Sequence, residues 1–319
     1  MTLRQSPRPG GSADDTHRAV TEAVREFYNA SPFPAFAEDK YPTVQTLGAR
    51  AGAYAQMLDR RLPANATVAD IGCGTGQLTA FLALRDTRTL TGVDLSPGSL
   101  RYARNLVANL GLRNVTLLEG NLFDLPLPEQ SHDVVLCHGV LHHTADPEVG
   151  LSALTRIVRP GGYLVVGLYN TFGRTAHRAL RGVARNSGAA GERIAAWGVR
   201  RMLAGQWEST DPDKQRAWLA DQFHHPREST HTVDEVLRWF DEHGLEYAAT
   251  LPPITPRRAG SVSLFPEDPP AGPTSVSRAV ALVRQIGWIW QMRATGGYFV
   301  MVARKPGTKS QRRQISTGH

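Results

Sequence analysis

The stretch VADIGCGTGQL, Val68 to Leu78, decides how this chain is read. A short apolar run ends at Ile71, three glycines follow at alternate positions, and the next residues, QLTAFLALR, suit a helix. That order is strand, tight turn, helix. Glycines at 72, 74 and 76 let the backbone turn sharply and let a ligand approach the start of the helix, where N–H groups stand free. Eighteen residues beyond Gly76, at the end of the next apolar run, stands Asp94. A carboxylate there can accept from both ribose hydroxyls of an adenosine. The dinucleotide pattern asks for Gly-x-Gly-x-x-Gly; here the third glycine comes one place early and Gln77 fills its slot. That departure counts against a nicotinamide cofactor.

Downstream of this turn, apolar runs and helical segments alternate. TLTGVDL (89–95), VTLLEG, DVVLCHG and YLVVGLYN (163–170) read as strands. Between them, PGSLRYARNLVANLGL reads as a helix opened by Pro97 and closed near Gly111, and DPEVGLSALTRIVRPGG as a helix capped by Asp146. The strands are apolar throughout, which predicts a parallel sheet covered by helices on both faces. After Asn170 the alternation stops, and residues 171–230 read as a helical insertion. TVDEVLRWFDEHG restores a helix, capped by Thr232 with Glu235 three residues on. LEYAATLP is a strand, 252–296 a second insertion with a helix near Ser275–Met292, and GYFVMVARK a last strand. Ahead of the sheet, DDTHRAVTEAVREFYNA predicts a helix capped near Asp14 or Asp15, with Val20, Val24 and Phe27 on one face. SPFPAF breaks it, and a second helix is expected over Thr43–Arg61. The expected boundaries are a tail to residue 13, a helical cap over 14–62, the main domain over 63–304 and a basic tail from 305.

The 319 residues are 41% hydrophobic and 20% charged, ordinary for a globular protein. The net charge of +7 points toward nucleic acid only at first sight. Without Arg4, Arg8, Arg304, Lys305, Lys309, Arg312 and Arg313, placed at the ends, 29 basic residues face 29 acidic ones. Basic ends of this kind are usually solvated. No apolar run approaches the roughly 18 residues of a membrane span, and MTLRQSPRPGGSADD lacks the apolar core of a secretory signal. Cys73 and Cys137 sit alone in apolar runs and build neither a disulfide scaffold nor a metal cluster. A cytoplasmic protein is the expectation, with neither a nucleic-acid nor a membrane partner; whether it forms a homodimer is left open.

Four motifs together resemble the class I S-adenosylmethionine-dependent methyltransferases: VADIGCGTG, TGVDLS, EGNLFDLPLPEQSHDVVLCHGVLHHTADP and RIVRPGGYLVVGLYN. The resemblance covers residues 67–170. It implies an α/β fold, a Rossmann-like doubly wound seven-stranded sheet with an antiparallel last strand, here with an N-terminal helical lid and a helical insertion after strand five. It implies S-adenosylmethionine as cofactor. Asp70, Gly72, Gly74 and Gly76 would cradle its methionine part, Asp94 and Leu95 its ribose, and Asn121 and Leu122 its adenine, with Cys137 and His138 lining the pocket. Where many relatives carry Asp, Asn121 keeps an acceptor oxygen and loses the charge.

The family pattern names no acceptor. The expected reaction is direct in-line transfer of methyl to an O, N or activated C nucleophile of a small molecule, with an anionic acceptor and specialised metabolism among the readings. An RNA or tRNA methyltransferase using the basic tails, a non-catalytic cofactor-binding partner protein and an NAD-dependent oxidoreductase are the alternatives. Candidates for the proton step are His138, directly after the fourth strand, Tyr169 at the end of the fifth, and His225 and Glu228. Tyr28, with Phe33 and Phe36, would close the lid over the site. His142, Asn170, Arg174, Asp221 and His224 are candidate acceptor contacts. Arg174, Arg178, Arg181 and Arg185 share one helical face, which reads either as an anion site or as a solvated face.

DQFHHPRESTHT (221–232) gathers three histidines, two carboxylates and an arginine around one proline. It also resembles an element recurring in a bacterial methyltransferase subfamily. Its spacing does not reproduce His-Glu-x-x-His, so no metal is assigned. Part of it caps the next helix and part is a candidate wall of the acceptor pocket.

Overall fold

The computed structural model describes residues 13–34, 41–186, 225–254, 264–266, 278–292 and 296–307, with 188, 190–191, 193–194 and 197–198. Seven strands form one sheet: β1 Thr67–Ile71, β2 Thr89–Asp94, β3 Val115–Glu119, β4 His132–His138, β5 Val158–Tyr169, β6 Glu246–Leu251 and β7 Tyr298–Arg304. Their order is β3-β2-β1-β4-β5-β7-β6. Strands β1 to β5 pair in parallel, while β7 runs antiparallel to both β5 and β6. Order reverses between β1 and β4, so a cleft opens at their carboxyl ends, where open α/β sheets bind ligands.

Helices cover the sheet because its strands are apolar on both faces. α4 Gln77–Leu82, α5 Pro97–Asn109 and α6 Pro147–Ile157 are the crossover helices. Ser96 and Asp146 cap the last two by accepting from backbone N–H groups, each with Pro in the first turn. One core cluster joins Leu151, Leu154, Val166, Leu168, Trp239 and Phe240, and another Leu58, Leu82, Leu90, Leu136 and Val302. α8 Val233–Glu242 buries Val233, Val236, Leu237, Trp239 and Phe240, and Thr232 accepts from Glu235 N at its start. α9 Arg278–Gln291 packs beside it through Ala281, Gln285 and Trp288.

Four expectations change, while the insertion opens with a helix as expected. Asp14 and Asp15 lie inside α1, Ala13–Ala30, and do not precede it. The helix expected over 43–61 is two, α2 Val44–Arg50 and α3 Ala53–Arg61, because Ala51 and Gly52 take extended backbone. The helix capped by Asp146 stops at Ile157, and Val158 already pairs with His132 of β4. Arg304 closes β7, and Lys305 Nζ donates to Thr155 O at 2.8 Å and Val158 O at 2.9 Å, so neither belongs to a loose tail. The insertion opens with α7, Thr175–Asn186. Among the described residues, no helix is long and apolar enough to cross a membrane.

Candidate active site

The glycine turn has the conformation its sequence requires. Gly72, Gly74 and Gly76 have φ of 76°, 55° and 77°, a region closed to most side chains. A Cβ on Gly72 would collide with Val140 Cγ2, and one on Gly74 would lie 2.5 Å from Phe33 O. Gly74 N donates to Asp94 Oδ2 at 2.8 Å and Ser96 N to Oδ1 at 2.8 Å. Burial raises Asp94 above the usual carboxylate range, and bonds from the Ser96, Gly74 and Leu95 backbones offset part of that rise. Each carboxylate oxygen keeps lone pairs for ligand hydroxyls. Asp70 is buried at the end of β1 and accepts from Thr79 Oγ1 at 2.6 Å. Burial pushes it up to about 6, against the Thr79 bond and helped by the Asp94 charge. Two desolvated carboxylates at neighbouring strand ends favour a cationic ligand. Asn121 Oδ1 accepts from Phe123 N at 3.1 Å, one lone pair of two, and Leu122 is buried beside it. Cys137, by contrast, is wholly buried in the core, so its side chain does not line the pocket as expected.

The N-terminal helices close over this turn. Asn29 Oδ1 accepts from Ser96 Oγ at 2.8 Å and Gly98 N at 3.1 Å. Phe33 O accepts from Thr75 N and Pro34 O from Thr75 Oγ1. Tyr28 and Phe27 pack on the His225 ring at 5.5 and 5.0 Å. The last turn of α1 thus bridges the end of β2 and the last part of the insertion. Phe36 lies outside the described residues.

At the ends of β4, β5 and β7 the wall is aromatic. His138 Nε2 lies 2.6 Å from the hydroxyl of Tyr54, on α3. Burial pushes His138 down to about 4, so it is neutral near pH 7. Its Nδ1 is buried with no partner among the described residues. Tyr298 stands opposite Tyr169 in the β5–β7 register, ring centroids 6.1 Å apart, and its hydroxyl occupies the space above Gly167. Any side chain at 167 would displace it. Tyr54, Tyr298 and Asn29 were not singled out from sequence. Tyr298 had a weak signal as the first aromatic of the last strand; Tyr54 had none, standing 84 positions from its partner.

The arginine row and the 221–232 segment form a second cluster. Arg174 is fully buried; its Nε and Nη2 donate to Glu228 Oε1 and Oε2 at 3.2 and 2.9 Å, and Nη1 to Gly296 O at 2.8 Å. Its guanidinium carbon stands 3.6 Å from the Tyr169 ring centre. Arg181 donates to Glu228 Oε2 at 3.1 Å and to His225 O at 2.7 Å. Burial raises Glu228, but the Arg174 bond and the charges of Arg174 and Arg181 outweigh it and hold the carboxyl below its usual range. Two expectations are corrected. Glu228 is clamped by two cations, which makes it a weak proton acceptor, and Arg174 is already paired with it, while the two arginines on one carboxylate leave the cluster one positive charge in excess. Arg178 is exposed, and the Arg185 side chain lies outside the described residues. Asn170 is also corrected: it is buried, caps Phe172 N and Gly173 N, and donates to Gln285 Oε1, which makes it a turn builder. His142 is fully buried between Tyr169 and His143, with ring centroids 4.2 Å from each, and neither of its nitrogens has a partner among the described residues. His143 stacks on His225 at 3.6 Å, and both rings reach Arg227 O through Nδ1. Asp221 and His224 lie outside the described residues.

Comparison with known proteins matches residues 69–166 to the family described as methyltransferase domain. An uncharacterised methyltransferase of Mycobacterium tuberculosis is 32% identical over 165 residues, 50% of this chain and 75% of that protein. The chain belongs to the class I S-adenosylmethionine-dependent methyltransferases. An uncharacterised protein of Synechococcus sp. is 29% identical over 250 residues, 72% of this methyltransferase, which spans only 60% of that relative's length. The structure of PKMT2 from Rickettsia typhi in complex with AdoHcy shares the fold, at 18% identity and a TM-score of 0.50, over 86% of this chain and 54% of that one. The family cofactor is S-adenosylmethionine. The glycine turn, with Gly72, Gly74 and Gly76 at positive φ, and the two buried carboxylates fit its backbone, ribose and positive charge.

Proposed function

We propose that this methyltransferase transfers methyl to a small, largely uncharged molecule enclosed between the N-terminal helices and the ends of β4, β5 and β7. The observation that carries this reading is the aromatic wall of Tyr54, His138, Tyr169 and Tyr298, combined with an inner arginine already paired with Glu228. Such a wall selects by shape and by a few hydrogen bonds.

S-adenosylmethionine, when bound, supplies an electrophilic methyl. Asp70, Gly72, Gly74, Gly76, Asp94, Leu95, Asn121 and Leu122 hold it. The cap over the glycine turn, fastened by Asn29, Phe33 and Pro34, excludes water from the cleft. His138 presents its unpartnered nitrogen to the acceptor, and Tyr169, Tyr298 and Tyr28 shape the space. His225 supports the lid ring stack.

The test uses S-adenosylmethionine labelled in the methyl group, the full chain and three acceptor pools: an organic extract of bacterial cells, total RNA and total protein. Label in organic-soluble product supports the reading; label confined to RNA or protein overturns it. Removing residues 1–12 and 308–319 should leave organic labelling unchanged, whereas its loss would return the basic ends to acceptor binding.

A further inference from the structure

Tyr54 and His138 come from segments with no local relation, and the fold brings them 2.6 Å apart. At that distance the imidazole atom facing the phenol must be nitrogen, since a ring carbon would clash, and this fixes which way the ring is turned. The rings meet edge to face, 5.3 Å between centroids. Burial, with the Asp70 charge, drives the Tyr54 phenol well above its ordinary value, so it keeps its proton. His138 is neutral and therefore carries one N–H.

Two arrangements remain. If Nε2 holds the proton and donates to Tyr54, the phenol proton needs another acceptor, and none stands within reach among the described residues. Nδ1 would then be a second unmet site. If Tyr54 donates to Nε2, the phenol and Nε2 are both satisfied and only Nδ1–H is left over. The second arrangement leaves fewer buried polar groups unmet.

The leftover group has a direction. His138 Cδ2 lies 3.2 Å from where a Gly167 side chain would begin, so that ring edge faces β5. Nδ1 is on the opposite edge. The other neighbour of β4 is β1, which leads into the glycine turn.

We propose that Tyr54 is a positioning residue that fixes His138 in the Nδ1–H tautomer, and that this N–H is the donor that holds an oxygen or nitrogen of the methyl acceptor beside the cofactor cleft. His138 then orients the acceptor and does not deprotonate it. This rests on the reading of His138 as the acceptor-facing residue; the tautomer itself does not depend on what the acceptor is.

The experiment labels the histidines of the full chain with 15N and reads two-bond proton–nitrogen correlations at pH 7, with His138→Gln to assign the ring. Nδ1 should show a protonated, pyrrole-like shift and Nε2 an unprotonated, pyridine-like one. Tyr54→Phe should shift His138 toward the Nε2–H form while the other histidine signals stay in place. Protonated Nε2 in the wild type, or an unchanged ring in Tyr54→Phe, overturns the proposal. The wild-type spectrum decides the tautomer even if Tyr54→Phe fails to fold. In the methyl-labelling assay with organic extract, His138→Asn keeps an N–H near Nδ1 and should yield about tenfold more product than His138→Ala; equal loss in both overturns the donor role. Absence of any organic label sinks the small-molecule reading alone and leaves the tautomer result standing.

Discussion

Removing Glu228 separates a structural clamp from a chemical role. Its side chain is 6% exposed and that of Arg174 is 0% exposed. Three donors converge on its two oxygens at 2.9 to 3.2 Å. Glu228→Ala leaves the buried Arg174 charge without its carboxylate. Breaking a buried pair from one side costs about 3–5 kcal/mol, because desolvation of the remaining ion is no longer offset. An exposed pair such as Arg238–Glu242, with side chains 53% and 45% exposed, supplies the contrast; Arg238→Ala should cost less than about 1 kcal/mol. Arg174→Met with Glu228→Met removes both charges and keeps the volume, so the double variant should recover at least about 2 kcal/mol of the Glu228→Ala loss. Urea unfolding at pH 7, read as midpoint at constant slope, measures all of these. The sign with pH follows from a lowered carboxyl: the clamp stabilises above the unfolded value of 4.5 and is lost as pH falls through the folded one. If Glu228→Ala matched Arg238→Ala in stability, the clamp would be refuted. Full stability with turnover abolished would return Glu228 to the reaction.

Two further outcomes test the cofactor cradle. Asp70 sits near 6 without a cation beside it, so S-adenosylmethionine, which favours the ionised carboxylate, should bind about tenfold more tightly at pH 7 than at pH 5. Calorimetry across that range checks it; Asp70→Asn should bind weakly and without the pH dependence, and a flat wild-type profile would contradict the assignment. Gly74→Ala places a Cβ at positive φ and 2.5 Å from Phe33 O, so it should cost about 1–3 kcal/mol and loosen the cap over the turn. Proteolysis after Ser31 or nearby should then speed up on adding the substitution; unchanged cleavage with unchanged stability would show that the contact carries no weight.

What was legible in sequence follows the range of the interactions. The glycine turn, Asp94, Asp146 with Pro147, and Thr232 with Glu235 each act within about one helical turn or one βα unit, so spacing reports them directly. Strand positions and their parallel pairing came from continuous apolar runs, and the antiparallel last strand from family resemblance. The single helix expected over 43–61 failed at Gly52, where two glycines four apart gave no sign of which one breaks the helix: Gly48 stays helical and Gly52 takes extended backbone. Lys305 looked like tail because a charged residue beside Pro306 carries no sign of the two carbonyls it caps.

The aromatic groups at the strand ends were legible in part: His138 and Tyr169 end predicted strands, whereas the meeting of Tyr54 and Tyr298 with them left no mark in the spacing. Tyr54, His138, Tyr169 and Tyr298 come from α3, β4, β5 and β7; sheet order brings the last three together, and the docking of α3 on the sheet brings Tyr54 to His138. The arginine row makes the same point from the opposite side. Its spacing truthfully placed Arg174 and Arg181 on one face, and the anion it awaited exists, but that anion is Glu228 of the same chain, 54 and 47 positions away. Periodicity can place charges on one face. Which group pairs with them is a property of the folded neighbourhood, and here Glu228 anchors the start of the insertion. On the proposed reading of a small acceptor, Nδ1 of His138 is the polar contact to test.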